Sequence, residues 1–363
     1  MQTSPHHYIE IDGAMGEGGG QVLRTALSLS ICTGKPFRIT QIRANRKKPG
    51  LQRQHLTATR AARDISGAYI EGDEIGSMEL SFIPYEVQSG HYFFAIGTAG
   101  STTLVLQTVL YPLLLATGES HLILKGGTHN LLAPPYDFLA RVFLPILNRM
   151  GAQVTVTLER YGFYPAGGGQ LKVHIIPAPH LKGIRLMERG NIIARQAKAL
   201  ITGIPDHVAQ RELQRVAKKL KWSKECLHYC PLPSDQGPGN VLLLEIQSEH
   251  VTEIFTGFAQ RGVRAEAVAD GAIKMAKEYL AAEVPVSEHL ADQLLIPLAL
   301  AGEGEFTTVT PSRHTLTNIE VIQRFLSVPI TQTQQKDNVW VIRAGGELNK
   351  EKALDSKKLN YLI

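Results

Sequence analysis

Long apolar blocks recur along this chain, each closed by a glycine and followed by a short run rich in β-branched residues. In the first, Leu23 to Gly34 (LRTALSLSICTG) has the length and composition of a buried helix ending on a glycine cap, and Pro36 to Ile42 reads as the strand after it. A second helix, Gln54 to Ser66, closes on Gly67 and leads into a strand beginning at Tyr69. The same order returns downstream: helix Leu104 to Thr117, Gly118, strand His121 to Lys125, helix Tyr136 to Met150, Gly151, strand Gln153 to Leu158. Gly34 and Gly67 lie 33 residues apart, as do Gly118 and Gly151, and the two copies are offset by 84. Such self-similarity at a fixed spacing predicts repeated units.

A third copy runs from Asp292 through Gly302, with strand Phe306 to Thr310, helix Asn318 to Leu326 and strand Ile330 to Gln334. Its glycine follows Gly118 by 184 residues, so about 100 residues intervene as an insert. Within that insert, strand Gly190 to Leu200, helix Asp206 to Leu220, strand Asn240 to Gln247 and a helix over Val268 to Ala282 predict a smaller α/β unit. The expected fold class is therefore α/β (α+β), with three repeated units of helices packed on a small sheet and one inserted α/β domain. The units are expected at 1–95, 96–183 and 285–363, with the insert at 184–284.

Composition narrows the setting. With 44% hydrophobic and 20% charged residues among 363, and no low-complexity tract, the chain is that of a globular protein. Three cysteines are too few for a disulfide framework and point to a reducing compartment. The polar start carries no apolar signal region, and the greasiest stretch is interrupted by Gln107 and Pro112, so a cytoplasmic protein without a membrane partner is expected. A net charge of +5 permits a nucleic-acid partner, provided the basic residues cluster.

They do so in RANRKKPGLQRQH, where Arg43, Arg46, Lys47, Lys48, Arg53 and His55 surround a Pro-Gly turn. A loop of that density suits several phosphates, although a solvated basic loop has the same composition. Upstream, DGAMGEGGGQ joins a short strand to a helix, and its glycines let backbone N–H groups approach an anion. No Lys-Ser/Thr pair follows, so this is not a P-loop, and Glu17 within it would repel phosphate unless it binds a metal or a sugar hydroxyl. GTAGSTTLVLQ offers Ser101 or Thr102 as a helix cap and leaves Gln107 needing a partner in an apolar helix. GGTHNLLAPPYDF imposes a rigid path through its glycines and prolines, whereas YGFYPAGGGQ reads as a hairpin turn. Cys226, His228 and Cys230 form C-x-H-x-C, a possible zinc pattern that lacks a fourth ligand.

TPSRHTLTNIEVIQRFL carries the strongest local chemistry. Thr317 and Glu320 have capping-box spacing, which would start a helix there and leave His314 just ahead of it. The positive potential at a helix N-terminus favours a neutral, nucleophilic imidazole, with Arg313 and free amides available to a phosphate.

Taken in order, IDGAMGEGGGQVLR, RANRKKPGLQRQH, GTAGSTTLVLQT, GGTHNLLAPPYDF, HLADQL and SRHTLTNIEV resemble the RNA 3′-terminal phosphate cyclase family across nearly the whole chain. The resemblance implies an enzyme that uses ATP to turn an RNA 3′-phosphate into a 2′,3′-cyclic phosphate, with His314 as the nucleophile that carries AMP. It further implies an ATP pocket of Glu17, Gln107, Pro134, Phe138, His289, Asp292 and Gln293, with Glu17 the candidate ligand for a divalent metal (Mg or Mn). Arg24, Arg43, Arg46 and His55 would face phosphates of ATP or of an RNA ending in 3′-phosphate. His289 stands where the family commonly has tyrosine, and it can stack on or hydrogen-bond to a nucleotide. Non-catalytic relatives that serve ribosome assembly lack the nucleophile, so His314 favours the enzyme. A carboxyvinyl transferase, which shares a related repeat, would leave the basic loop and His314 unexplained.

Overall fold

The computed structural model describes residues 7–346. Each of three units has the order strand, helix, strand, helix, strand, strand. The first comprises β1 (Ile9–Asp12), α1 (Gly20–Thr33), β2 (Phe37–Thr40), α2 (Arg53–Ser66), β3 (Tyr69–Glu71) and β4 (Leu80–Ile83). The second comprises β5 (His91–Ala95), α3 (Thr102–Leu114), β6 (Ser120–Gly126), a helical stretch of α4 (Tyr136–Phe138), a π-type segment (Leu139–Phe143) and α5 (Leu144–Arg149), then β7 (Gln153–Arg160) and β8 (Gly169–Ile176). Their sheets run β1-β2-β4-β3 and β5-β6-β8-β7, with the first pair parallel and the rest antiparallel.

The third sheet repeats that topology as β9-β14-β16-β15. Its first strand, β9, is only Arg185–Leu186, and it pairs in parallel with β14 (Gly304–Thr308). The third sheet thus draws a strand from inside the 184–284 segment. Between β9 and α8 (Glu288–Ala301) lie β10 (Ile192–Thr202), α6 (His207–Leu220), β11 (Leu227–Pro231), β12 (Gly239–Ser248), β13 (Thr252–Phe258) and α7 (Ala265–Ala282), whose strands form a separate sheet β11-β10-β12-β13. The insert therefore occupies the connection that in the first two units is a glycine-rich loop. After β14 come α9 (Arg313–Phe325), β15 (Ile330–Lys336) and β16 (Val339–Ala344).

Gly34, Gly67 and Gly302 close α1, α2 and α8 in the left-handed conformation, at φ 66°, 61° and 75°. A side chain would be strained there, which is why glycine marks the repeat. Gly118 differs. α3 ends at Leu114, where the Leu115 N–H is shared among the carbonyls of Tyr111, Pro112 and Leu113 and tightens the last turn. A second difference concerns α9. It begins at Arg313 under a Ser312 cap, whose Oγ accepts from the Thr315 N–H at 3.2 Å, whereas Thr317 Oγ1 donates back to the Arg313 carbonyl at 2.7 Å. Ser312 competes successfully because its cap, typically worth about 1 kcal/mol, starts the helix a full turn earlier. His314 thus sits in the first turn rather than ahead of it.

The helices meet at the centre. α1 packs on α2, α3 and α9, and α8 packs on α9, so one apolar core spans all three units; the insert lends it Leu200, Leu243 and Ile254 and builds a second core of its own. Among the described residues no helix is long and apolar enough to cross a membrane.

Candidate active site

The glycine loop is shaped by a neighbour. Gly16 and Gly18 take φ 56° and 59°, and a Cβ on Gly16 would overlap the Thr317 hydroxyl. Only glycine lets the loop of the first unit close against the first turn of α9. That contact brings Glu17 to His314, with Glu17 Oε2 2.5 Å from His314 Nε2. Arg46 donates to Glu17 Oε1 at 3.0 Å and to its carbonyl at 3.2 Å, holding the loop in place.

The other imidazole nitrogen is fixed just as tightly. His314 Nδ1 lies 2.8 Å from Gln21 Oε1, and Gln21 Nε2 donates to Asp292 Oδ1 at 2.5 Å. The buried carboxylate accepts the amide N–H, so the amide oxygen must face the histidine and Nδ1 carries hydrogen. Asn318 Nδ2 also donates to Asp292 Oδ1, at 3.1 Å, and Thr25 Oγ1 supports Asn318 at 2.8 Å. Burial pushes the Asp292 carboxyl above its usual range, opposed by His314, Gln21, Asn318 and Arg24. With hydrogen on Nδ1, Nε2, which faces Glu17 Oε2, is the ring atom that offers a lone pair in the neutral imidazole.

A cavity of about 370 Å³ opens beside this network, a volume suited to a small-molecule ligand. Arg24 and His314 line it together with Asp292 and Gln293 of α8. Gln107, Pro134, Phe138 and His289 line it as well. Gln107 meets Gln293 across the α3–α8 contact, which supplies the partner its apolar helix demands. The insert contributes Ile254, Thr256 and Phe258 from β13 and Met275 from α7. Leu131 and Leu132 complete the apolar side, and Leu132 is 88% exposed.

Arg24 stands apart electrostatically. Burial lowers it to about 10 despite the nearby Asp292 charge, and among the described residues it makes no hydrogen bond or ion pair. An unpaired guanidinium at a cavity wall is a receptor for an anion.

Arg43, Arg46 and His55 lie off the cavity wall. Arg43 donates to the carbonyls of Lys48 and Gly50 at 2.6 and 2.7 Å and so ties the basic loop to itself. His55 is the N3 member of a capping box on α2, its Nδ1 accepting from the Gln52 N–H at 3.3 Å. Burial, then Arg24 and Arg43, push its imidazole down from 6.5 to about 3. The folded protein holds this ring neutral while the unfolded chain protonates it below pH 6.5, so its contribution to stability is present above that pH and is lost as pH falls toward 3. His55→Gln keeps the capping pattern and removes the titration. Chemical denaturation at pH 7.5 and pH 5 should show wild type losing about 1–2 kcal/mol more than the variant on acidification; equal losses would mean the ring is not held neutral.

Residue patterns singled out Glu17, Gln107 and His314, but not Gln21, Asn318 or the insert's wall. Gln21 ends the GGGQ run, where the glycines drew attention and the amide did not. The C-x-H-x-C pattern does not converge: Cys226 packs on the insert's core and Cys230 on the main one.

Comparison with known proteins identifies relatives of this chain. The family described as RNA 3'-terminal phosphate cyclase matches residues 15–331. The chain is 54% identical over 332 residues to the RNA 3'-terminal phosphate cyclase of Ectopseudomonas mendocina, covering 92% of this chain and 96% of that one. It is 50% identical over 329 residues to that of Koribacter versatilis, covering 91% and 93%, and 51% identical over 337 residues to that of Ralstonia nicotianae, covering 93% and 96%. With a matched segment that spans β14, the Ser312 cap, His314 and the whole cavity, the chain belongs to the RNA 3'-terminal phosphate cyclase family.

Proposed function

We propose that this enzyme cyclises RNA 3′-phosphate ends at the expense of ATP through a covalent His314–AMP adduct. The observation that carries the reading is His314 itself, held through Nδ1 by Gln21 and Asp292 and facing a cavity with an unpaired arginine. The adenosine lies along Phe138, Pro134 and the insert's apolar wall, with the phosphates toward Arg24. His314 Nε2 attacks the α-phosphorus, the P–N bond forms, the bond to the β-phosphate oxygen breaks and pyrophosphate leaves. Gln21 and Asp292 keep hydrogen on Nδ1, so the attacking lone pair is the one on Nε2.

An oxygen of the RNA 3′-phosphate then attacks the same phosphorus, the P–N bond breaks, and RNA and AMP become joined through a diphosphate. Finally the neighbouring 2′-hydroxyl attacks the RNA phosphorus, its proton passing to solvent or base, and AMP departs. Holding the hydroxyl and phosphorus in one nucleotide makes this last step effectively unimolecular.

Glu17 supplies the oxygen donor that fits a divalent metal, Mg or Mn, at the phosphates. Its two oxygens already engage Arg46 and His314, so phosphate oxygens and water would complete most of the coordination, as magnesium favours. When bound, the metal would neutralise charge on the triphosphate. The basic loop 43–55 and the net charge of +5 suit an RNA partner, and a cytoplasmic setting follows from the sparse cysteines.

The test is incubation with ATP labelled at the α-phosphate and Mg or Mn. A label bound to protein, stable to alkali and lost in acid, is expected, and RNA ending in 3′-phosphate should be cyclised while 3′-hydroxyl RNA is not. Absence of the adduct with the wild-type chain would overturn the covalent route.

A further inference from the structure

The outer face of the second unit's sheet carries a row of imidazoles with no part in the nucleotide chemistry. His91 of β5, His121 of β6 and His174 of β8 are register partners across three strands. Alternation along the strands places them on the face opposite Leu122, Leu124 and Val173, which enter the core. The rings of His91 and His121 stack at 4.9 Å between centroids, and those of His121 and His174 at 4.3 Å. Glu119, one residue before β6, reaches the same row with Oε2 2.8 Å from His174 Nε2.

We propose that Glu119, His121 and His174 form a divalent transition-metal site facing solvent. Their ligating atoms all lie within 4.8 Å of one another, and among the described residues no other three histidine, cysteine or acidic side chains converge so closely. Two imidazole nitrogens and one carboxylate oxygen suit Zn²⁺, Ni²⁺ or Cu²⁺, whereas Mg²⁺ and Ca²⁺ want oxygen alone. Water completes the shell, since the side chains of Glu119 and His174 are 56% and 34% exposed.

Paired strands are a stiff base for such a site, because the register fixes the spacing of His121 and His174 before any metal arrives. Parallel rings aim their lone pairs side by side, so the pair must splay by rotation about the side-chain bonds, which exposed rings do readily. The metal then replaces the hydrogen between Glu119 and His174: Nε2 gives up its proton to solvent, Nδ1 takes one up, and the ring stays neutral. His91 flanks His121 and supports its orientation without ligating. The row lies on the sheet face away from α3, whose other side carries Gln107 of the cavity, so the site stands apart from His314.

The experiment is calorimetric titration of Zn²⁺ into chelator-treated full chain, with Co²⁺ absorption as a second reading of imidazole ligation. Wild type is expected to bind one equivalent more than His121→Ala or His174→Ala. Even an outer partner is worth about tenfold in metal affinity, so each ligand variant, and Glu119→Gln, should lose at least that. His91→Ala should keep the metal, and all four variants should retain ATP-dependent cyclisation. Equal Zn²⁺ binding by wild type and the ligand variants, or no binding by wild type, overturns the site.

Discussion

Replacing His314 by alanine should abolish the AMP adduct and lower cyclisation of 3′-phosphate RNA by on the order of 10⁴-fold or more, the scale at which loss of a covalent nucleophile is felt. The protein should still fold, because the His314 side chain is 48% exposed and lies in the first turn of a helix capped by Ser312. ATP should still bind, since Arg24, Phe138 and the insert's wall remain. The distinguishing result comes from a later step. RNA already carrying AMP on its 3′-phosphate needs no imidazole, because only the 2′-hydroxyl attack is left, so the alanine variant should cyclise that substrate nearly as fast as wild type. An adduct as abundant in His314→Ala as in wild type would place the nucleophile elsewhere. Loss of cyclisation of the pre-adenylated RNA as well would mean that His314 serves the last step in addition to the first.

The second large effect belongs to Arg24, and it should run in opposite directions for activity and stability. Its guanidinium is lowered to about 10 by burial, which means that the fold tolerates the charge rather than gaining from it. Arg24→Met keeps most of the volume and removes an unpaired cation, so denaturant unfolding without nucleotide should show a gain of about 1–3 kcal/mol. Charge-assisted hydrogen bonds are worth about 1.5–3 kcal/mol, so the same variant should bind ATP roughly 10- to 150-fold more weakly. Adduct formation measured against ATP concentration gives the second number. A variant that is less stable and binds ATP normally would show that Arg24 is a packing residue.

The repeat was legible because glycine at a left-handed helix cap leaves a mark that side-chain chemistry cannot imitate: Gly34, Gly67 and Gly302 each stand at such a cap. β9 was not legible, since two residues are too few for alternation and Arg185–Leu186 becomes a strand only because β14 lies beside it. The start of α9 was misplaced because Ser312 and Thr317 are both competent caps, and in the fold Ser312 caps the helix while Thr317 lies in its second turn. His314 was readable as candidate chemistry from its own motif, whereas Asp292 and Gln293 entered only through the family resemblance of HLADQL. Gln21 and Asn318 were not readable, because their roles exist only where α1, α8 and α9 meet. The wall given by Phe258 and Met275 was hidden for a related reason: an apolar residue lining a cavity and one filling a core look alike in sequence.

The meeting of α1, α3, α8 and the insert at one cavity also sets what a ligand bound there does to the molecule. A ligand seated there touches every unit at once, so it is released whenever any one of them opens. Its binding free energy is therefore added to the unfolding of the whole chain rather than of a part, about 2.7 kcal/mol at a ligand concentration one hundred times its dissociation constant. Under the proposed function that ligand is ATP, which would then act as the keystone of this arch.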